Sequence, residues 1–157
     1  MRSFFQLSVV AAILALSVSP SSAQQVRRVE VGSLNCNVGP SLGLVIGSQQ
    51  QLACVFRSRN TGRRESYVGV INRLGLDVGF SAGGAMVWAV YAPTKGLAPR
   101  ALAGNYAGGS GDISLGVGVG ANALVGGSNR SIALQPISVK AQVGVNLALG
   151  VAGMTLQ

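Results

Sequence analysis

One segment, centred on Ser81, has the residue spacing that surrounds the nucleophilic serine of many hydrolases. The string Gly79-Phe80-Ser81-Ala82-Gly83 matches the G-x-S-x-G pattern, which places a serine on a turn from a strand into a helix. Such a serine needs a general base to accept its proton, and the sequence contains no histidine. An Ala- and Gly-rich strand pattern, rather than a helix, follows the string. The sequence therefore predicts a turn between two strands here, and a protein that is not an enzyme.

Carboxylates and metal ligands are equally sparse. The four carboxylates, Glu30, Glu65, Asp77 and Asp112, are dispersed singly, so local spacing predicts neither a paired acid and base nor a calcium loop. Without histidine, and with only two thiols, a transition-metal site is not expected. The glycine-rich run 116–121 resembles a dinucleotide fingerprint, but it continues as a strand where that motif needs a helix N-terminus. We predict no cofactor and no metal.

The two cysteines are Cys36 and Cys54. An even, isolated pair in an oxidising compartment is most simply one disulfide. Closing a loop of 17 intervening residues would stabilise the fold by roughly 3 kcal/mol, in the chain-entropy account. The sequence predicts a disulfide between neighbouring strands, with two free buried thiols as the alternative.

Four arginines fall within eight residues, at Arg57, Arg59, Arg63 and Arg64. The intervening Asn60-Thr61-Gly62 is typical of a turn, so we expect the four guanidinium groups to surround the tip of a β-hairpin. A guanidinium group pairs bidentately with phosphate or carboxylate, which makes this segment a candidate anion-contacting loop. The alternative is a solvated loop whose charges prevent edge-to-edge aggregation.

The N-terminus has the features of a cleaved secretory signal peptide. Arg2 precedes an apolar stretch from about Phe4 to Val18, and the small residues Ser21-Ser22-Ala23 follow. We expect cleavage after Ala23, so that 1–23 is the signal peptide and 24–157 a single domain. The alternative, a membrane anchor, needs about 20 apolar residues, more than this stretch contains. A periplasmic or secreted protein, with no transmembrane segment in its mature chain, is expected.

Charge narrows the class of partner. Once Arg2 is removed, eleven Lys and Arg remain against four carboxylates. A basic exported protein is expected to meet anionic envelope lipid or polysaccharide, whereas nucleic acid is not expected outside the cytoplasm. The alternative is that the net charge only keeps the domain soluble.

The elements that must position these groups are strands. The chain contains 23 glycines, about twice the usual share, which leaves no window long enough for a convincing amphipathic helix. Alternation over 113–123 and 143–151 places branched apolar residues on one face and small or polar residues on the other. Because glycine faces favour the close approach of another layer, we expect Gly118 and Gly144 to face packed structure.

Further strands are predicted at Val29–Val38, Gly43–Ile46, Leu52–Phe56, Tyr67–Ile71, Leu76–Phe80 and Ala85–Tyr91. Both faces of the last are apolar, which predicts a strand buried on both sides. The alternation then shifts by one residue at Gln135-Pro136, which predicts a β-bulge or strand corner. The predicted class is all-β, a single compact, glycine-rich antiparallel β-barrel or β-sandwich.

Several of these segments carry a resemblance to a known family. They are Val31–Cys36, Leu74–Gly79, Met86–Val90, Leu102–Gly108 and Leu124–Pro136. Through them, residues 30–157 resemble the domain of unknown function 992 family of exported alphaproteobacterial proteins. The resemblance implies a Gram-negative source and a periplasmic location. It implies no activity, substrate or site.

We therefore expect an envelope-associated structural or interaction module without enzymatic activity. The rival hypothesis is a carrier of lipid or another small apolar ligand, held between the glycine-faced strands with Trp88 or Tyr91 lining the pocket. An interior cavity of about 300 Å³ or more would favour the carrier, and a filled core would favour the interaction module.

Overall fold

The computed structural model describes residues 27–43, 48–73, 79–81, 83–108, 123–141 and 151–157. Within these ranges the strands are β1 Val29–Val38, β2 Ser41–Gly43, β3 Ser48–Ser58, β4 Arg64–Arg73, β5 Gly79–Ser81, β6 Gly84–Ala92, β7 Gly104–Gly108, β8 Leu124–Gly126, β9 Ile132–Ala141 and β10 Val151–Leu156. Eight of them close into an antiparallel barrel in the order β1-β3-β4-β10-β7-β8-β9-β6, and β2 pairs with β5. The all-β prediction is confirmed, and the architecture is the barrel rather than the sandwich.

Alternation along the strands decides what fills the barrel. In β3, Leu52, Cys54 and Phe56 point inward and are buried, while the residues between them are exposed. The inward residues of the barrel strands join one hydrophobic cluster, whose largest member is Trp88. Full burial of one large apolar side chain is worth about 1.5–3 kcal/mol, so burial of this cluster is the main source of stability.

The prediction that strand β6 is buried on both faces is confirmed in part. Its inward residues Met86, Trp88 and Val90 are buried. On its outward face Ala89 is buried as well, whereas Tyr91 is only half-buried. The inner face therefore matches the prediction fully, and the outer face only at its small residue.

The predicted shift of alternation near Pro136 is a β-bulge. Val87 pairs with Ser138, and the next residue, Trp88, pairs with Pro136. Ile137 is therefore the extra residue, and its side chain is exposed. The bulge lets Pro136 lie within a paired strand without interrupting the closed barrel.

Two glycines mark places where neighbouring strands approach closely. A Cβ on Gly126 of β8 would overlap the carbonyl oxygen of Asn105, and a Cβ on Gly69 of β4 would overlap that of Thr155. At these positions the absence of a side chain is a requirement of the packing. The predicted strands at 113–123 and 143–151 fall almost entirely outside the described residues, so the environments of Gly118 and Gly144 remain predictions.

The antiparallel order places several connections at one end of the barrel. They are residues 27–28 before β1, the β3–β4 hairpin turn 59–63, the β6–β7 connection 93–103 and the 3₁₀ turn Ser128–Arg130. Hydrogen bonds join them, because Asn60 Nδ2 donates to the Lys95 carbonyl at 3.0 Å and the Ser128 amide donates to the Ala101 carbonyl at 3.2 Å. The β2–β5 pair lies at the opposite end.

Candidate functional site

Cys36 and Cys54 form the predicted disulfide. They are direct cross-strand partners on β1 and β3, with an S–S distance of 2.05 Å and a Cα–Cα distance of 4.0 Å. Both side chains are buried in the interior cluster. The bridge therefore ties two strands together within the core, and neither sulfur is a free thiol.

Basic residues gather at the end of the barrel where the hairpin turn 59–63 and the connection 93–103 meet. They are Arg27, Arg28, Arg57, Arg59, Arg63, Arg64, Lys95, Arg100 and Arg130. We call this set of nine the basic end. The carboxylates described at the same end are Glu30 and Glu65. The described side chains of this end therefore carry an excess of seven positive charges.

Arg59 lies in the hairpin turn and has a carboxylate partner. Its Nη2 is 2.7 Å from Glu30 Oε1, and its backbone amide donates to the Val31 carbonyl at 2.8 Å. Because the Arg59 side chain is mostly exposed, the ion pair contributes little to stability. It does neutralise one of the four predicted anion-contacting charges.

Arg63 belongs to a more enclosed cluster around Glu65. Its Nε lies 3.2 Å from Glu65 Oε1, an ion-pair distance, and its Nη2 donates to the Leu97 carbonyl at 3.0 Å. Glu65 also accepts from the Tyr67 hydroxyl at 2.6 Å and from the Arg100 amide at 3.3 Å. These contacts hold the β6–β7 connection against the barrel.

Two tyrosines near this cluster have hydroxyl groups with a raised pKa. Burial, with the nearby Glu65 carboxylate acting in the same direction, raises the pKa of the Tyr67 hydroxyl. Burial also raises the pKa of Tyr106, whose hydroxyl donates to the Leu102 carbonyl at 2.7 Å. Both hydroxyls therefore stay protonated at neutral pH and act as hydrogen-bond donors.

Arg57 and Arg64 differ from the other two arginines of the predicted loop. They lie opposite each other across β3 and β4, face outward, and are exposed. Neither side chain makes a hydrogen bond or ion pair with any residue of the described ranges. They border an open depression of about 530 Å³, lined also by Ser33, Asn35 and Val55. Two like charges in direct register repel each other, so this pair would gain from an added anion.

The structure thus divides the predicted loop into two pairs. Arg59 and Arg63 pair with carboxylates, whereas Arg57 and Arg64 lie on the barrel wall with no carboxylate partner among the described residues. The positions of Lys95, Arg100 and Arg130 at the same end were not predicted from the sequence. Alternate connections of an antiparallel barrel share an end, and that rule was the available signal.

The serine string has the local structure expected of a turn between strands. Ser81 is the last residue of β5, and β6 begins at Gly84. Within the described ranges, no three Cys, Asp or Glu side chains lie close enough together to hold a metal ion. Over the same part of the chain, no helix has the length and apolar character needed to cross a bilayer.

Trp88 and Tyr91, the two alternatives predicted to line a ligand pocket, lie on opposite faces of β6. Trp88 points into the barrel and is 1% exposed, within the hydrophobic cluster. Tyr91 points outward from the same strand. Trp88 therefore belongs to the core as its largest side chain, and Tyr91 lies on the outer face of the barrel.

Comparison with known proteins identifies one family. No curated protein and no solved structure matches this chain. The family model described as "Protein of unknown function (DUF992)" matches residues 14–157, which include every described strand. The chain belongs to the DUF992 family.

Proposed function

We propose that this protein is an exported, non-enzymatic module of the cell envelope that docks through its basic end onto an anionic surface. The observation that carries the proposal is the excess of seven positive charges among the described side chains at one end of the barrel. A field of one sign over one end of a domain attracts and orients anionic partners. The basic residues come from several separate connections and so surround the end, which suits a layer of lipid head groups better than a single polysaccharide strand.

Export is supported from two directions. The N-terminal sequence has the n-region, apolar stretch and small-residue site of a signal peptide ending at Ala23. The Cys36–Cys54 disulfide is typical of proteins that fold in an oxidising compartment. A periplasmic location is the form of export that we propose.

The barrel interior favours an interaction module over an interior lipid carrier. The described inward positions hold Trp88, Tyr67 and Phe56, each nearly inaccessible, in one packed cluster. A carrier of acyl chains would need a cavity of about 300 Å³ or more in place of such side chains. The proposed docking therefore uses the outside of the barrel.

Five basic side chains are available for docking. Those of Arg27, Arg57, Arg64, Lys95 and Arg130 make no hydrogen bond or ion pair with residues in the described part of the chain. Each contributes roughly 1 kcal/mol near an anionic membrane surface, over about one Debye length. Binding is therefore expected to be weak, reversible and lost as salt rises.

Vesicle co-sedimentation of residues 24–157 tests the proposal. The parent should bind vesicles that contain phosphatidylglycerol at low salt, and should not bind vesicles of phosphatidylcholine alone. The variant R27S/R57S/R64S/K95S should lose this binding and keep its melting temperature, because these side chains are exposed.

The matched control is R73S/K140S, which removes two charges from strand ends distant from the basic end. It should retain most of the binding. Absence of binding by the parent at low salt, or an equal loss in the control, would overturn the proposal. Binding to an anionic polysaccharide but not to vesicles would replace lipid as the partner.

A further inference from the structure

Arg57 and Arg64, which have no carboxylate partner within the described ranges, lie at one end of a strip of outward-facing residues on β1, β3 and β4. Arg57 pairs with Ser33 on one side and with Arg64 on the other, so the three form a row across β1, β3 and β4. The next outward row is formed by Asn35, Val55 and Ser66. Asn35 Nδ2 lies 3.5 Å from Ser33 Oγ, so polar side chains flank the depression beside the guanidinium groups.

Away from the arginines the strip contains exposed valines among polar side chains. Val55 is 42% exposed, and Val68 of β4 is 63% exposed. Val68 pairs with Ala53, two residues from Val55 along β3, so the two valines are diagonal neighbours on the same outward face. The strip continues into an open groove of about 610 Å³ whose lining includes Ala53, Val68 and Val70.

Neither the valines nor the arginine pair indicates a binding site when considered separately. Single exposed valines are ordinary on protein surfaces, whereas two opposed like charges destabilise a strand pair. The strip as a whole combines two cationic groups with an adjoining groove that contains exposed valines. From Arg57 to Gln51 the strip extends about 20 Å, at about 3.4 Å per residue.

We infer that this strip binds a single anionic phospholipid. The head-group phosphate contacts the guanidinium groups of Arg57 and Arg64, with Ser33 and Asn35 beside it, and the acyl chain lies along Val55 and into the groove. Guanidinium groups donate parallel hydrogen bonds to phosphate oxygens, which suits this pair. The inference rests on the proposed function, because head groups are the anions that the basic end would meet, but it adds a defined site to general attraction.

Titration with a soluble short-chain lipid tests the site apart from bilayer docking. The probe is dihexanoyl phosphatidylglycerol below its micelle concentration, compared with glycerol 3-phosphate and with dihexanoyl phosphatidylcholine. Binding is followed by backbone amide chemical shifts. The parent should bind the anionic lipid more tightly than either comparison probe, with the largest shifts at Val55, Arg57 and Val68.

The variants separate a site from net charge. R57S/R64S should bind dihexanoyl phosphatidylglycerol about tenfold more weakly or worse, because charge-assisted hydrogen bonds are lost. R27S/K95S removes the same charge from exposed positions of the same end and should bind within about twofold of the parent, since charges distant from a site are screened. V68S should weaken binding of the lipid and leave that of glycerol 3-phosphate unchanged.

Three results would overturn the inference. Equal losses in the two double variants would leave only the general field of the basic end, and the proposed function would still stand. Equal binding of lipid and glycerol 3-phosphate would exclude the acyl groove. No shift at the strip, in a parent that still sediments with anionic vesicles, would exclude the site and leave the docking proposal intact.

Discussion

On the inward face of β3, Cys54 and Phe56 are buried, and the first of them is covalently tied to β1. On the outward face of the same strand, Val55 and Arg57 are exposed, and Arg57 faces a like charge. Residues one position apart on this strand therefore have different roles. The inward set holds the barrel together, and the outward set is available to a partner. Changes to one set should leave the property of the other unchanged, which can be tested in both directions.

The largest expected effect on stability is removal of the disulfide. Cys36→Ala combined with Cys54→Ala should lower the free energy of unfolding by roughly 3 kcal/mol, because the unfolded chain regains the freedom of the closed loop. Urea denaturation measures the loss. Vesicle binding, measured at a temperature where the variant remains folded, should equal that of the parent. Lost binding in a folded variant would break the separation between the two faces.

A single added methyl group tests the close approach of β7 and β8. Gly126→Ala should cost about 1–3 kcal/mol through overpacking, because the new Cβ overlaps the Asn105 carbonyl oxygen. Gly96→Ala is the matched control, since a Cβ there meets no atom within 4 Å. Thermal melts should show destabilisation only in the first variant. Equal melting temperatures would mean that the strands can separate without cost.

A smaller effect, absent at neutral pH, comes from the buried tyrosines. The folded pKa of Tyr67 and of Tyr106 is raised above the ordinary value of 10.0. The folded state therefore holds each proton more tightly than the unfolded state does. The stability that this tighter proton binding contributes is fully present below pH 10 and is lost as the pH rises above 10.

Urea denaturation from pH 8 to pH 11.5 measures this pH dependence. The free energy of unfolding should fall above about pH 10 in the parent. Tyr106→Phe should fall less steeply, because one of the two buried hydroxyls is gone, and this comparison separates tyrosine ionisation from the titration of lysines. Identical slopes in parent and variant would contradict the assignment.

Much of the fold could be predicted from local pattern. The period-two alternation indicated β1, β3 and β6, the shift at Pro136 indicated the bulge in β9, and the isolated cysteine pair indicated the disulfide. Strand β7, Gly104–Gly108, was not predicted, because five residues with glycine at both ends carry no clear alternation. Closure into a barrel depends on pairings between distant strands, such as β10 with β7, and no local signal distinguishes this from a sandwich.

The candidate site was predictable as a group of charges but not as a geometry. The sequence grouped Arg57, Arg59, Arg63 and Arg64 correctly around a hairpin. The sequence pattern could not assign Glu65 to the enclosed cluster at the end of the barrel. The available signal was that Glu65 lies two residues from Tyr67, because residues two apart on a strand point to the same face. Which arginines have carboxylate partners depends on that inward placement and on the distant connection that carries Arg100.

Hydrogen exchange in the presence of anionic vesicles tests most directly whether the basic end is the docking surface. Amides of exposed connections exchange readily, so a bound surface slows them measurably. We expect slower exchange in the turn 59–63, the connection 93–103 and the 3₁₀ turn Ser128–Arg130, and no change in β2 or β5 at the opposite end. Slower exchange in β2 and β5, or equal exchange with and without anionic vesicles at low salt, would contradict the account.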